Sequence, residues 1–255
     1  KPRKVVAVPS KQSWLYVFDR ITGQPIWPIE ERPVPQSDVP GEKTAKTQPF
    51  PVKPPPVARD TYKPEDLVTA EDTNAEHAAA CADLVAKSGT LYNEGPFTPW
   101  AYRDPAQPLA SSIIFPGAIG GVDWGGMSAD PNQHLLFVNT LDYASIGWIE
   151  QMTQPNARVP YDQRSAYGAP VPSKFWARKT DASGALMGAS SWPCQRPPWG
   201  HLQAIDAQTG QIAWKIVFGV TDELPEGKKN TGRLNGGGSV ATAGGLLFIG
   251  ATNDK

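Results

Sequence analysis

The sequence predicts an all-β fold of stacked antiparallel units, on three observations. The first is a repeat. FDRITGQPIW at 18–27 and AIDAQTGQIAW at 204–214 each carry an aspartate (Asp19, Asp206), a Thr-Gly pair (Thr22-Gly23, Thr209-Gly210) and a tryptophan four residues after the glycine (Trp27, Trp214). Reuse of one supersecondary unit is the mark of a propeller, a solenoid or an array. The second is what flanks the repeat: WLYVF (14–18) and IAWKIVF (212–218) are rich in β-branched and aromatic residues, which suit strands. The third is composition, since 27 prolines and 24 glycines leave little room for long helices.

Each unit reads as a hairpin. Gly23 and Gly210 supply the positive backbone angle that reverses a strand, and Asp19 and Asp206 cap the turn through backbone amides. Each tryptophan is expected to bury its ring against the next unit.

The chain, residues 1–255, reads as one propeller-like segment. It opens on the strand KVVAV (4–8). A proline-dense stretch over 28–64 follows. Ile29, Val34, Phe50 and Val52 recur among its prolines, which favours an extended connection packed on a folded surface over a disordered linker. Residues 64–88 form a helical insertion, with alanines throughout, acids at its start and Lys87 and Gly89 at its end. His77 within it is expected at the surface. Strands resume at 112–115, 120–128 and 134–140, and 151–198 reads as a long loop region. The short strands GHLQAID, QIAWKIVFG, GGSVATAG and GLLFIGATN close the order. Because both termini fall within hairpins, an interior piece of a longer protein is expected.

Composition also excludes. A formal net charge of −1 without long like-charge runs gives no footprint for nucleic acid. No apolar run approaches the roughly 20 residues of a bilayer span, and KPRKVVAVPS is not a signal peptide. Cys81 and Cys194 form no CxxC pattern, so a metal knuckle or redox dithiol is not expected. Two buried thiols are favoured over a long-range disulfide, with pairing left open.

Beyond the repeat, KQSWLYVFDRITGQPIWPIEERPVPQSDVPGE, TQPFPV, FPGAIGGVDWGGMSADPN, PCQRPPWGHLQAIDAQTGQIAWK and ATAGGLLFIGATND resemble the pyrroloquinoline-quinone-dependent dehydrogenases, the glucose and quinate type more than the methanol type. The resemblance implies part of an eight-bladed β-propeller, about three to four blades of antiparallel four-stranded sheets with tryptophan docking. It also implies pyrroloquinoline quinone near the central axis and calcium or another divalent cation. The activity implied is hydride transfer from a hydroxyl group of a sugar, polyol, cyclic acid or alcohol, with electrons passing to ubiquinone or a cytochrome. By the same resemblance the protein is periplasmic, with a parent of the kind often anchored to the inner membrane, and the remainder of the propeller is a partner.

The resemblance assigns residues one at a time. Lys11 stands where the family places a cation beside the quinone oxygens, and a fixed positive charge there stabilises the negative charge that develops on hydride acceptance. Asn139, in LLFVNT, matches an asparagine directed at the cofactor; its amide can both donate and accept. Trp124 and Asn235 are weaker cofactor-site candidates, Trp124 being read mainly as a packing residue. Gly236 stands where methanol-type relatives carry tryptophan, which removes a ring contact. The catalytic base and the metal ligands are expected outside this chain. Asp123, Asp130 and Asp142 are therefore not assigned as base. Two other readings compete: a noncatalytic propeller scaffold, which needs the turns but not Lys11 or Asn139, and a sugar-binding module with Trp176, Trp192 and Trp199 as a stacking platform.

Overall fold

The computed structural model describes residues 3–122, 124–166, 173–177 and 192–250. Its first unit is the hairpin of β1 (Val5–Pro9) and β2 (Leu15–Asp19), paired antiparallel from Val5–Asp19 to Pro9–Leu15. In the proline-dense stretch, β3 (Ile29–Pro33) and β4 (Thr47–Pro51) form a second hairpin, in which Phe50 is buried with its ring edge-on to Trp14 at 5.3 Å. After it come α1 (Ala75–Ser88), β5 (Thr90–Tyr92), β6 (Ala110–Ile114), β7 (Met127–Asp130) and β8 (Leu135–Leu141). The second half holds β9 (Ser145–Gln151), β10 (Tyr161–Arg164), β11 (Ser173–Lys174), β12 (Gly200–Asp206), β13 (Gln211–Val217), β14 (Ser239–Ala241) and β15 (Leu247–Ile249).

The strands β7, β8, β12 and β13 form one four-stranded antiparallel sheet in chain order, the arrangement of a propeller blade. Hairpin β14–β15 lies beside β7, and hairpin β1–β2 packs on the blade's other flank. Alternation explains that second contact. Leu15 and Val17 of β2 point one way and meet Leu136 and Val138 of β8 and Ile205 of β12, with Val57, Val122 and Trp27 closing the layer.

The two copies of the repeat fold identically at the turn. Asp19 Oδ1 accepts from the amides of Ile21 and Thr22 at 2.9 and 3.0 Å, and Asp206 Oδ1 from those of Gln208 and Thr209 at 2.7 and 3.0 Å. Gly23 and Gly210 sit at φ +72° and +70°. These amides hold both carboxyls below the usual aspartate range. Trp27 lays its ring on the turn of the other copy, where a Cβ on Gly210 would fall 2.9 Å from Trp27 Cζ2. Trp214 instead faces Phe137 at 6.0 Å and stays 37% exposed, so the burial expected of both rings is met in part by the first, which is half-buried, and not by the second.

Above the blade lies a second layer built from two insertions. The one between Trp27 and β7 supplies α1, β5 and β6; the one between β8 and β12 supplies β9, β10 and β11. They share a five-stranded sheet in the order β10-β9-β6-β5, with β11 on β9 and a parallel β5–β6 pair. Its core joins Tyr62, Leu84, Ile113, Phe115, Ile146 and Phe175 around Cys81 and Cys194.

Several sequence expectations are corrected here. Cys81 and Cys194 form a disulfide, tying the insertions together across 113 positions; the two sulfurs meet because the inner face of α1 and Cys194 share one core, a long-range contact that no local spacing announces. His77 is buried, not at the surface. Its Nδ1 pairs with Thr73 Oγ1 at 2.8 Å and its Nε2 with the Trp192 carbonyl at 3.3 Å, because positions 77, 81, 84 and 88 make the inner face of α1. The helix starts at Ala75, capped by Asn74; before it, Pro64–Asp66 make one short 3-10 turn and Leu67 bridges to Gln195, while the Asp66 and Asp72 carboxylates bond the backbone amides of Lys63 and Thr69. Of the described residues in the strand expected over 120–128, Met127 and Ser128 are extended, and Gly120 and Gly126 at φ +101° and +71° interrupt the rest. Strands β9 and β10 run partly within or before the region read as loop.

Candidate functional site

The candidate residues come from four separate segments that share one end of the blade, opposite the Thr-Gly turns. Lys11 lies in the β1–β2 connection, Trp124 in the loop before β7, Asn139 near the end of β8 and Asn235 in the β13–β14 connection.

Lys11 is exposed, and its Nζ donates to the Ala118 carbonyl at 3.3 Å. The loop around it is drawn in tightly. The Gly121 amide donates to the Lys11 carbonyl at 2.8 Å, and the Leu141 amide to the Gly121 carbonyl at 2.8 Å. A Cβ on Gly121 would fall 2.0 Å from Ser13 Oγ, so only glycine allows the approach. Asn139 is buried and its Nδ2 donates to the Asn235 carbonyl at 2.7 Å. Asn235 Oδ1 accepts from the Gly237 amide at 2.8 Å, while its buried Nδ2 has no partner among the described residues. The glycines that follow press on the Trp124 loop, Gly238 against the Gly125 carbonyl. Trp124 itself is 90% exposed, so it is not the packing residue expected from the sequence. Asp123 lies outside the described residues, and Asp130 caps the β7–β8 turn through the amides of Asn132 and Gln133.

Sequence reasoning missed a buried polar cluster beneath this face. The Asp142 carboxylate, 4% exposed, accepts from the Arg59 amide at 2.7 Å through Oδ1, and its Oδ2 lies 3.5 Å from His201 Nδ1. That separation is long for a hydrogen bond, and His201 Nδ1 has no hydrogen-bond partner among the described residues. Burial pushes the His201 imidazole below its ordinary 6.5, against the opposing pull of Asp142. Burial also raises the Asp60 carboxyl, and the charge of Asp142 adds to the effect. Below these groups Gln203 Nε2 donates to the Val57 carbonyl at 2.6 Å and to Thr140 Oγ1 at 3.2 Å. The available sequence signal was a histidine opening one strand and an aspartate just beyond the end of its neighbour.

The tryptophans proposed as a sugar platform are anchored differently. Trp199 is 2% exposed with Nε1 donating to the Gln195 carbonyl at 2.8 Å, and Nε1 of Trp176 and of Trp192 are both buried. Among the described residues, the group of His, Cys or acidic side chains close enough to share an ion is His77, Cys81 and Cys194, whose sulfurs are bonded to each other.

Comparison with known proteins accords with this architecture. Quinate/shikimate dehydrogenase (quinone) of Acinetobacter baylyi is 31% identical over 99% of this chain, which spans 30% of that protein. A probable quinate dehydrogenase (quinone) of Xanthomonas campestris pv. juglandis is 32% identical over 98% of the chain and 31% of its own length. Quinoprotein glucose dehydrogenase A of Acinetobacter calcoaceticus is 28% identical over 98% and 30%. The chain thus spans about a third of the length of these relatives. Residues 1–255 match, from end to end, the family described as PQQ: Glucose/ethanol/alcohol dehydrogenase, beta-propeller domain, and the chain belongs to that family of quinoprotein dehydrogenase propellers.

Proposed function

We propose that the complete protein oxidises a hydroxyl group of a cyclic acid, sugar, polyol or alcohol with pyrroloquinoline quinone, and that this segment supplies one wall of the cofactor site. The observation that carries the reading is the exposed Lys11 ammonium on the blade end that also holds Asn139 and Asn235. The residues suit the group: an anionic, carbonyl-rich planar ligand calls for cations and amide donors. Lys11 provides the first, and the buried unpartnered Nδ2 of Asn235 is a donor in want of an acceptor.

When bound, the quinone supplies the hydride acceptor. The role of Lys11 is to stabilise negative charge on the acceptor oxygens, a contribution that is large where the donor is held in place beforehand. Asn139 acts through Asn235, since the bond from its Nδ2 to the Asn235 carbonyl fixes the loop that carries the free amide. The base that takes the hydroxyl proton and the ligands of calcium or another divalent cation belong to the rest of the protein. Quinate as substrate is supported by the names of two relatives, and glucose and glycerol by others. Ubiquinone or a cytochrome completes the cycle as acceptor. The disulfide favours an oxidising compartment such as the periplasm. The exposed faces carrying Trp214 and Ile216 on β13, and Val240 and Phe248 on β14–β15, suit contact with the remaining blades.

The test is reconstitution of full-length protein with pyrroloquinoline quinone and calcium, followed by dye reduction with quinate, glucose, glycerol and simple alcohols. Lys11→Ala is expected to lower kcat/KM by about 100-fold or more. No cofactor absorbance and no dye reduction with any substrate would remove the enzyme reading in favour of a scaffold.

A further inference from the structure

We infer that Asp142 is a positioning residue for Lys11: its buried carboxylate locks the 141–145 segment, whose backbone and Ser145 side chain hold the 117–121 loop on which Lys11 rests. The inference rests on the cofactor role proposed for Lys11, and it concerns an aspartate that the family pattern leaves without a role.

Three of the four polar groups of Asp142 are hydrogen-bonded, and the fourth lies beside the His201 ring. Its amide donates to the Trp199 carbonyl at 3.0 Å, its carbonyl accepts from Gln195 Nε2, Oδ1 accepts from the Arg59 amide at 2.7 Å, and Oδ2 faces His201 Nδ1 at 3.5 Å. The residue thereby joins the segments at 59, 195, 199 and 201. A buried carboxylate needs partners of this kind, and the bonds through its amide, carbonyl and Oδ1 fix its backbone.

The residues flanking it carry that rigidity to the loop. On one side the Leu141 amide donates to the Gly121 carbonyl at 2.8 Å. On the other the Gly117 amide donates to the Tyr143 carbonyl at 2.7 Å, and the Ala118 amide to Ser145 Oγ at 3.0 Å. Gly117 is seated on the Tyr143 ring with no space for a Cβ. The loop so held presents the Ala118 carbonyl to Lys11 Nζ and the Gly121 amide to the Lys11 carbonyl. Both ends of the 117–121 loop are therefore pinned to residues adjacent to Asp142, and Lys11 is pinned to the loop.

The experiment uses the full-length protein and two readouts: hydrogen exchange of peptides covering 115–122, measured without cofactor, and the Kd for pyrroloquinoline quinone by titration. Asp142→Ala is expected to speed exchange of the 117–121 amides about 10-fold and to weaken quinone binding about 10-fold. Asp142→Asn, which keeps an acceptor for the Arg59 amide, is expected within about threefold of wild type in both. Ser145→Ala uncovers no charge and removes one loop bond directly, so it covers the case in which Asp142→Ala fails to fold; it is expected to shift both readouts in the same direction by about threefold. Unchanged exchange in folded Asp142→Ala, or in Ser145→Ala, overturns the inference. So does an Asp142→Asn protein as impaired as Asp142→Ala, since charge and not anchoring would then be the requirement. Lys11→Ala runs alongside: if it leaves quinone binding intact, the cofactor reading fails, while the exchange results still decide whether Asp142 holds the loop.

Discussion

The two copies of the Thr-Gly turn match in every local bond and differ in what their tryptophans and opening residues meet. Counting back five positions from the capping aspartates gives Trp14 in one copy and His201 in the other. Trp14 is buried against Phe50 of the hairpin β3–β4, whereas His201 joins Asp142 in the polar cluster. Trp27 closes on Gly210, whereas Trp214 rests beside Phe137 and stays partly exposed. Turn geometry is thus a property of about six residues, while the chemistry carried on the unit depends on which neighbour it faces.

Glycine substitution should separate these two levels most strongly. Nothing lies within 4 Å of a Cβ built on Gly23, so Gly23→Ala should cost only the backbone strain of a positive φ, about 1 kcal/mol. Gly210→Ala adds a collision with the Trp27 ring and should cost about 2–4 kcal/mol, read as the difference in midpoint of denaturant unfolding of the full-length protein. Equal costs would mean that Trp27 does not seat there. Next in size, Trp27→Ala should cost about 3 kcal/mol. Trp214→Ala should match it in the full-length protein if the remaining blades cover its ring, and fall below about 1 kcal/mol if they do not.

The polar member of the pair predicts a pH dependence confined to one copy. The His201 imidazole is held below 6.5 by burial, so the native state favours its neutral form. The stability this provides is present above pH 6.5 and is lost as pH falls from there toward the folded pKa. His201 faces Asp142, Lys215 and Arg59, and His77 on α1 is depressed in the same direction. His201→Gln should flatten, without abolishing, the fall in Tm between pH 7 and 5, whereas Trp14→Phe should leave its slope unchanged. The smallest effect concerns the capping aspartates. Both carboxyls are held low by turn amides, so each contributes stability at neutral pH that is lost as pH falls through the folded pKa. Asp19→Asn and Asp206→Asn should therefore produce equal, minor drops in Tm that vanish in acid.

The sequence was most legible where structure is local. The glycines, the Asx caps and the strands β2, β8, β12 and β13 follow from residues within a turn or a strand of one another. The propeller itself became legible only through the combination of phrases between the repeats. What could not be read depends on contacts between distant segments. His77 turns inward because Trp192 is there to meet it, and Cys81 finds Cys194 across two insertions. At the candidate site, Lys11 and Asn139 carried a recognisable context, but the role of Asp142 arises from bonds to positions 59, 195 and 199 that no spacing encodes.

The Cys81–Cys194 bond has a topological consequence for the blade beneath it. Strands β7 and β8 fall inside the covalent ring it closes, and β12 and β13 fall outside. The blade is therefore half enclosed and half free, and its two halves cannot be parted by cutting the chain once within the ring. A single proteolytic nick anywhere between these cysteines leaves one covalent molecule, which should migrate as a single species on a denaturing gel and divide only when a reductant is added.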